Sequence, residues 1–107
     1  MMSDVHHKRI AFIHEMLLDQ ADDTFLLFAL AKEYDAIGET EQAIERYDAV
    51  LTIDPNYLGA YYHLAELLYR AGKTDRAIEV GESGIEIAKH MGAQKDLAEL
   101  HQLIESF

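Results

Sequence analysis

The stretch TFLLFALAKEYDAIGETEQAIERYDAVLTIDPNY, residues 24–57, runs directly into LGAYYHLAELLYRAGKTDRAIEVGESGIEIAKHM, residues 58–91. Laid over one another at an offset of 34 residues, Leu30 falls on Leu64, Ala31 on Ala65, Gly38 on Gly72 and Thr40 on Thr74. Ala43 falls on Ala77, Ile44 on Ile78, Glu45 on Glu79 and Ile53 on Ile87, eight identities in all. Unrelated segments of ordinary composition would share roughly two. A period of this length marks one supersecondary unit that cannot bury its apolar side alone and stacks on its neighbours.

The pattern inside each unit is helical. Leu26, Leu27, Leu30, Ala31 and Tyr34 recur at the three- and four-residue spacing of a half-buried helix. Gly38 stops it, Thr40 offers an N-cap oxygen and Glu41 suits the positive end of a helix dipole. Ala43, Ile44, Tyr47, Val50 and Leu51 form a second stripe, which Asp54-Pro55-Asn56 ends. The residue before a proline disfavours helix, and Asn56 can cap the next one. The second unit repeats this, with Tyr61, Leu64, Ala65 and Leu68, a stop at Gly72, a cap at Thr74, then Ala77, Ile78, Ile85 and Ile87. Short turns between the stripes imply antiparallel hairpins.

The ends extend the pattern. Arg9 to Leu18 reads as one more helix of the second kind, because Ile10, Ile44 and Ile78 keep the period, as do Leu17, Leu51 and Ile85. Residues 20–23 are its turn. Gly92 breaks the chain before a last helix bearing Leu97, Leu100, Leu103 and Ile104. The expectation is an all-α chain of about six helices forming one domain. Its segments are a half repeat over 1–23, repeats over 24–57 and 58–91, and a capping helix over 92–107.

Residues 24–57 resemble the tetratricopeptide repeat (TPR), a 34-residue helix–turn–helix unit, through Leu27, Leu30, Ala31, Tyr34, Ala43, Tyr47 and Pro55. Residues 58–91 keep Tyr61, Leu64, Ala65, Leu68 and Ala77. They then depart, with Gly81, Gly84 and Lys89 where the family has an aromatic, an Ala and a Pro. The resemblance implies antiparallel hairpins stacked in a right-handed superhelix, a TPR-like α-solenoid. Small Ala31, Ala43, Ala65 and Ala77 let helix axes approach, and larger neighbours fill the gaps. Gly81 and Gly84 make one bare strip, read as a seat for the last helix, with a slot for a partner side chain as the alternative.

The resemblance also implies a non-catalytic protein- or peptide-binding module with a concave face. The positions lining that face in the family fall here on Phe25, Phe28, Lys32, Asp35, Tyr62, Glu66, Tyr69 and Arg70. Lys95 and Gln102 join from the last helix. Phe25, Phe28, Tyr62 and Tyr69 are large apolar residues that the core stripe does not need, which suits binding anchors. The competing reading is that the first helix or the chain ends cover Phe25 and Phe28. Some family members grip a C-terminal carboxylate; at the corresponding positions this chain has Phe28, Lys32, His63, Lys95 and Glu99, and only Lys95 matches. The alternative function is homo-oligomerisation through the same aromatic surface, as a symmetric dimer.

Composition bounds the rest. The net charge is −11, from 20 acidic and 9 basic residues, with no cysteine among the 107. An acidic surface repels nucleic acid and anionic membranes and attracts basic segments, although it also serves solubility. The expected partner is therefore a protein or peptide with apolar anchors and basic flanks, bound by a monomer or weak homodimer. No run approaches a signal peptide's apolar core or a membrane span, so a cytoplasmic protein is expected. The histidines show no turn-spaced pair with a carboxylate, His6-His7 fall in a segment read as frayed, and acidic Asp22-Asp23 suits helix capping. No nucleophile–base arrangement or phosphate loop occurs. No metal, cofactor or enzymatic activity is expected.

Overall fold

Six helices carry the chain in the computed structural model, which describes residues 2–107 and side chains from Asp4 onward. They are α1 (Met2–Leu17), α2 (Thr24–Ala36), α3 (Thr40–Ile53), α4 (Leu58–Arg70), α5 (Thr74–Met91) and α6 (Gln94–Ser106). Among the described residues there is no strand. The chain divides into two compact units, Met1–Asp54 and Pro55–Phe107. The boundary falls at Asp54-Pro55, where the sequence ends its second stripe.

The turn that closes each hairpin has the same atomic form. Gly38 has φ 80° and Gly72 has φ 81°, left-handed values that cost a side chain little only in glycine. Glu39 N–H donates to Tyr34 C=O and Lys73 N–H to Leu68 C=O, each at 2.9 Å. Gly38 N–H donates to Asp35 C=O and Gly72 N–H to Tyr69 C=O. Each pair of bonds satisfies the last carbonyls of its helix and reverses the chain.

Helix starts differ from the sequence expectation. The N-cap positions of α3 and α5 are Glu39 and Lys73, one residue before Thr40 and Thr74, and neither caps through its side chain. Tyr57, not Asn56, holds the N-cap of α4. Asp23 is a true side-chain cap: its carboxylate accepts the Leu26 N–H at 3.0 Å. Asp23→Ala is expected to destabilise the chain by about 1 kcal/mol. Urea titration followed by circular dichroism should show that loss, with Asp23→Asn close to the parent.

In the first unit, Leu30, Ala31, Ala43 and Val50 are wholly buried where α2 meets α3. Ile10 and Ile13 of α1 are also buried. Tyr34 is buried as a ring but not as a hydroxyl in need: its Oη lies 2.9 Å from His14 Nε2, and the Arg46 guanidinium sits 5.7 Å from the ring centroid. The sequence reading starts the first helix at Arg9 and leaves His6-His7 frayed. The structure overturns this. His6 Nδ1 is hydrogen-bonded to Glu33 of α2, and Arg9 lies 3.5 Å from the other oxygen of that carboxylate. A long-range polar contact therefore extends α1 by about two turns beyond its apolar stripe.

In the second unit, Leu64, Ala65, Leu68 and Ala77 form the core between α4 and α5, and α6 packs on both through Leu100 and Leu103. The Tyr61 hydroxyl donates to Pro55 C=O at 2.6 Å. Gly81 and Gly84 are buried. A Cβ on Gly81 would stand 2.8 Å from Ile104 Cδ1 of α6. One on Gly84 would stand 2.7 Å from Tyr61 Cβ and 3.2 Å from Leu100 Cδ1. The strip is the seat of the last helix, and the partner slot is overturned.

Candidate functional site

α4 and α6 each present one helical face to a shared cleft. From α4 come Tyr62 and Glu66, one turn apart; from α6 come Glu99, Gln102, Leu103 and Ser106, at the spacing that keeps residues on one side of a helix. The cleft is open and encloses about 470 Å³, within the roughly 300–1,000 Å³ of small-ligand pockets. It exists because Leu100 and Leu103 clamp α6 to the unit through their buried side chains, while the neighbouring positions on α6 stay outside.

Its walls have distinct chemistry. Tyr62 is half-buried, with its ring edge-on to His63 at a centroid distance of 5.7 Å. Leu103 is buried and forms the apolar floor. Glu66 is half-buried, whereas Glu99, Gln102 and Ser106 are exposed. The Ser106 hydroxyl donates to Leu103 C=O at 2.6 Å. Its hydrogen is committed within the helix, and its oxygen keeps lone pairs to accept.

The expected groove residues separate by unit. Phe25, Phe28, Lys32 and Asp35 belong to α2 in the first unit; Tyr62, Glu66, Tyr69, Arg70, Lys95 and Gln102 belong to the second. Tyr62, Glu66 and Gln102 line the cleft, and Arg70 and Lys95 do not. Tyr69 is occupied differently: its ring stacks flat on Phe107, centroids 4.4 Å apart and planes 7° apart. Phe25 is 69% exposed, so no helix covers it. Phe28 is half-buried, its ring edge-on to that of Tyr47 with centroids 5.8 Å apart, and the Lys32 ammonium lies 5.7 Å from its centroid.

Sequence reasoning names Glu99 only as a mismatch to the carboxylate grip, takes Leu103 as core, and passes over Ser106. The signal that finds all three is the spacing 99, 102, 103, 106 on one helix face. The histidines do not gather: His6 is on Glu33, His14 on Tyr34 and His63 beside Tyr62. Among the described residues no group of three or more His, Cys, Asp or Glu could hold a metal ion. No helix of the described residues is long and apolar enough to cross a membrane.

A family model of the tetratricopeptide repeat matches residues 36–104. The chain belongs to the tetratricopeptide-repeat family. A TPR domain protein from Salinibacter ruber is 38% identical, with a TM-score of 0.72 over 78% of this chain and 93% of that one. The TPR and J domain-containing co-chaperone DNJ1 of Fusarium oxysporum f. sp. lycopersici is 41% identical over 51 residues, which is 48% of this chain. The chain spans about 10% of that curated relative's length. The TPR2B domain of yeast Sti1, solved as a pHsp70 complex, shares the fold with a TM-score of 0.83 at 18% identity, covering 90% of this chain and 77% of that one. The all-α, TPR-like solenoid class is thereby established. The family is one of protein-interaction modules, and that is the coarse functional class of this TPR chain.

Proposed function

We propose that this TPR chain is a non-catalytic binding module that holds a peptide segment in the α4–α6 cleft through an apolar anchor. The observation that carries the reading is the pairing of half-buried Tyr62 with buried Leu103 across that cleft. An aromatic ring and an aliphatic floor, already ordered by the fold, can desolvate an incoming apolar side chain at low entropic cost. The yeast Sti1 domain that shares this fold forms a complex with pHsp70, which supports peptide capture as the mode. Phe25, Phe28, Lys32 and Asp35 on α2 are proposed as a further contact surface for the same class of partner.

The test is capture of partners on the immobilised chain, identified by mass spectrometry, followed by calorimetry with the purified partner. Tyr62→Ala is expected to weaken binding by about 2 kcal/mol, the loss typical of a central aromatic anchor. An unchanged affinity with the fold intact would remove the cleft from the interface.

A second reading has its own support. Phe12, Leu18 and Phe25 are 62%, 83% and 69% exposed in the first unit, apolar area that a second copy could cover. Light scattering across a concentration series would show a dimer that Phe25→Ala dissociates. A monomer at all concentrations excludes this reading.

A further inference from the structure

We propose that the α4–α6 cleft is selective for a cationic side chain, a Lys or Arg in the bound segment, with Glu66 and Glu99 as its acceptors. This rests on the cleft being the peptide-binding site. It adds the chemistry that the cleft selects.

The cleft is an inventory of acceptors. Glu66 and Glu99 stand on opposite walls, one from α4 and one from α6. Among the described residues neither has an ion-pair or hydrogen-bond partner, and no Lys or Arg lines the cleft. An ionised carboxylate only accepts hydrogen bonds. Ser106 has already given its hydrogen to Leu103 C=O, so it offers an oxygen. The Gln102 amide turns its carbonyl inward as readily as its nitrogen. The Tyr62 hydroxyl and the Gln102 amide are the donors on the lining, set against two carboxylates and the Ser106 oxygen. An ammonium supplies three donors and a guanidinium five, with no acceptor to waste.

The apolar surfaces fit the same ligand. The aliphatic stem of a Lys or Arg can lie along Leu103 while its charged head reaches the carboxylates. The Tyr62 ring face attracts a cation at close range. A purely aliphatic anchor would satisfy the floor but leave half-buried Glu66 without a partner, so a side chain with an apolar stem and a cationic head gains more. Charge steers in the same direction, since the whole chain carries −11. A carboxylate-bearing segment meets the opposite: like charge at both walls.

The experiment uses the full chain, labelled with ¹⁵N, and two capped tripeptides: Leu-Lys-Leu and Leu-norleucine-Leu. They match in stem length and differ in the ammonium. The expected result is saturable shifts of the Tyr62, Glu66, Glu99 and Gln102 amides with the Lys peptide. Its affinity should exceed that of the norleucine peptide and fall roughly three- to ten-fold in the Glu66→Gln/Glu99→Gln double variant, the scale of two partly exposed ion pairs. The norleucine peptide should bind parent and variant alike, which also shows that the variant is folded. Equal affinities of the two peptides at these amides, unmoved by the double variant, would overturn the cation selectivity while leaving the cleft as a binding site. Shifts confined to other residues would overturn both. Magnesium chloride alone is the third arm: saturation of the same amides by the metal at micromolar concentration would make the carboxylates a metal site and overturn the assignment to a side chain.

Discussion

Leu100→Ala is expected to destabilise the chain by about 2–5 kcal/mol, the range for removing a buried leucine and leaving a cavity. Leu100 is 1% exposed and is the largest fully buried side chain that α6 contributes. Its Cδ1 lies against Gly84 beside Tyr61, whose hydroxyl is tied to Pro55 C=O and which therefore moves little into the vacated space. The expected cost therefore lies toward the upper part of that range. Function should fall with it, because α6 carries Glu99, Gln102, Leu103 and Ser106, four of the six cleft residues. Chemical denaturation monitored by circular dichroism gives the stability. Amide hydrogen exchange identifies the place: protection should drop first along 94–106. Exchange unchanged there, with loss elsewhere, would show that Leu100 does not hold α6.

How far the sequence could be read depends on whether the information was local. Leu30/Leu64, Ala31/Ala65 and Ala43/Ala77 keep the 34-residue period and are all buried, because each occupies the same contact within its own hairpin. Gly38/Gly72 keep it because both turns need the same left-handed residue. Such repeats print their packing into the sequence twice, and the duplication separates signal from accident. The N-terminal turns of α1 have no such copy. They are held by His6 and Arg9 on Glu33, a polar contact that periodicity cannot reveal. The caps illustrate a competition: Thr40 and Thr74 suit an N-cap chemically, but the two-bond closure on Gly38 and Gly72 starts the next helix at once and places them one residue inside.

The candidate site was legible in the same uneven way. Tyr62 and Glu66 follow from helix phase within a repeat whose register is certain. Gln102 needs a two-residue adjustment of the last helix, and it lines the α4–α6 cleft. Tyr69 was equally conspicuous as an apolar residue off the core stripe, yet its ring stacks on Phe107, a partner 38 positions away that no local pattern announces. Large apolar residues outside a core stripe thus mark either an anchor or a contact with a distant segment. The structure gives the two different surroundings: Tyr62 lines the cleft, and Tyr69 stacks on Phe107.

Gly84→Leu is expected to cost about 3 kcal/mol, while Gly81→Ala should cost little or stabilise slightly. Both glycines lie inside α5, where glycine is about 1 kcal/mol less favourable than alanine. Helix propensity alone therefore favours replacing either. Packing decides against one. A Cβ at Gly84 would stand 2.7 Å from Tyr61 Cβ and 3.1 Å from Tyr61 Cγ. Those atoms sit at the root of a side chain whose ring is buried and whose hydroxyl is tied to Pro55 C=O, so they cannot swing aside. Leucine there would also meet Leu100 Cδ1 and force α6 away from α4 and α5, the overpacking cost of roughly 1–3 kcal/mol at its upper end. At Gly81 the near atoms are Ile104 Cγ1 and Cδ1, on a half-buried side chain in the last turn of α6, where the helix end can yield. The gain in propensity then offsets the adjustment. Thermal unfolding should show a much larger loss for Gly84→Leu than for Gly81→Ala if α6 is seated as described. A Gly84→Leu protein as stable as the parent would mean that α6 does not press on Tyr61 and Gly84, and the cleft that its outer face forms with α4 would lose its structural basis.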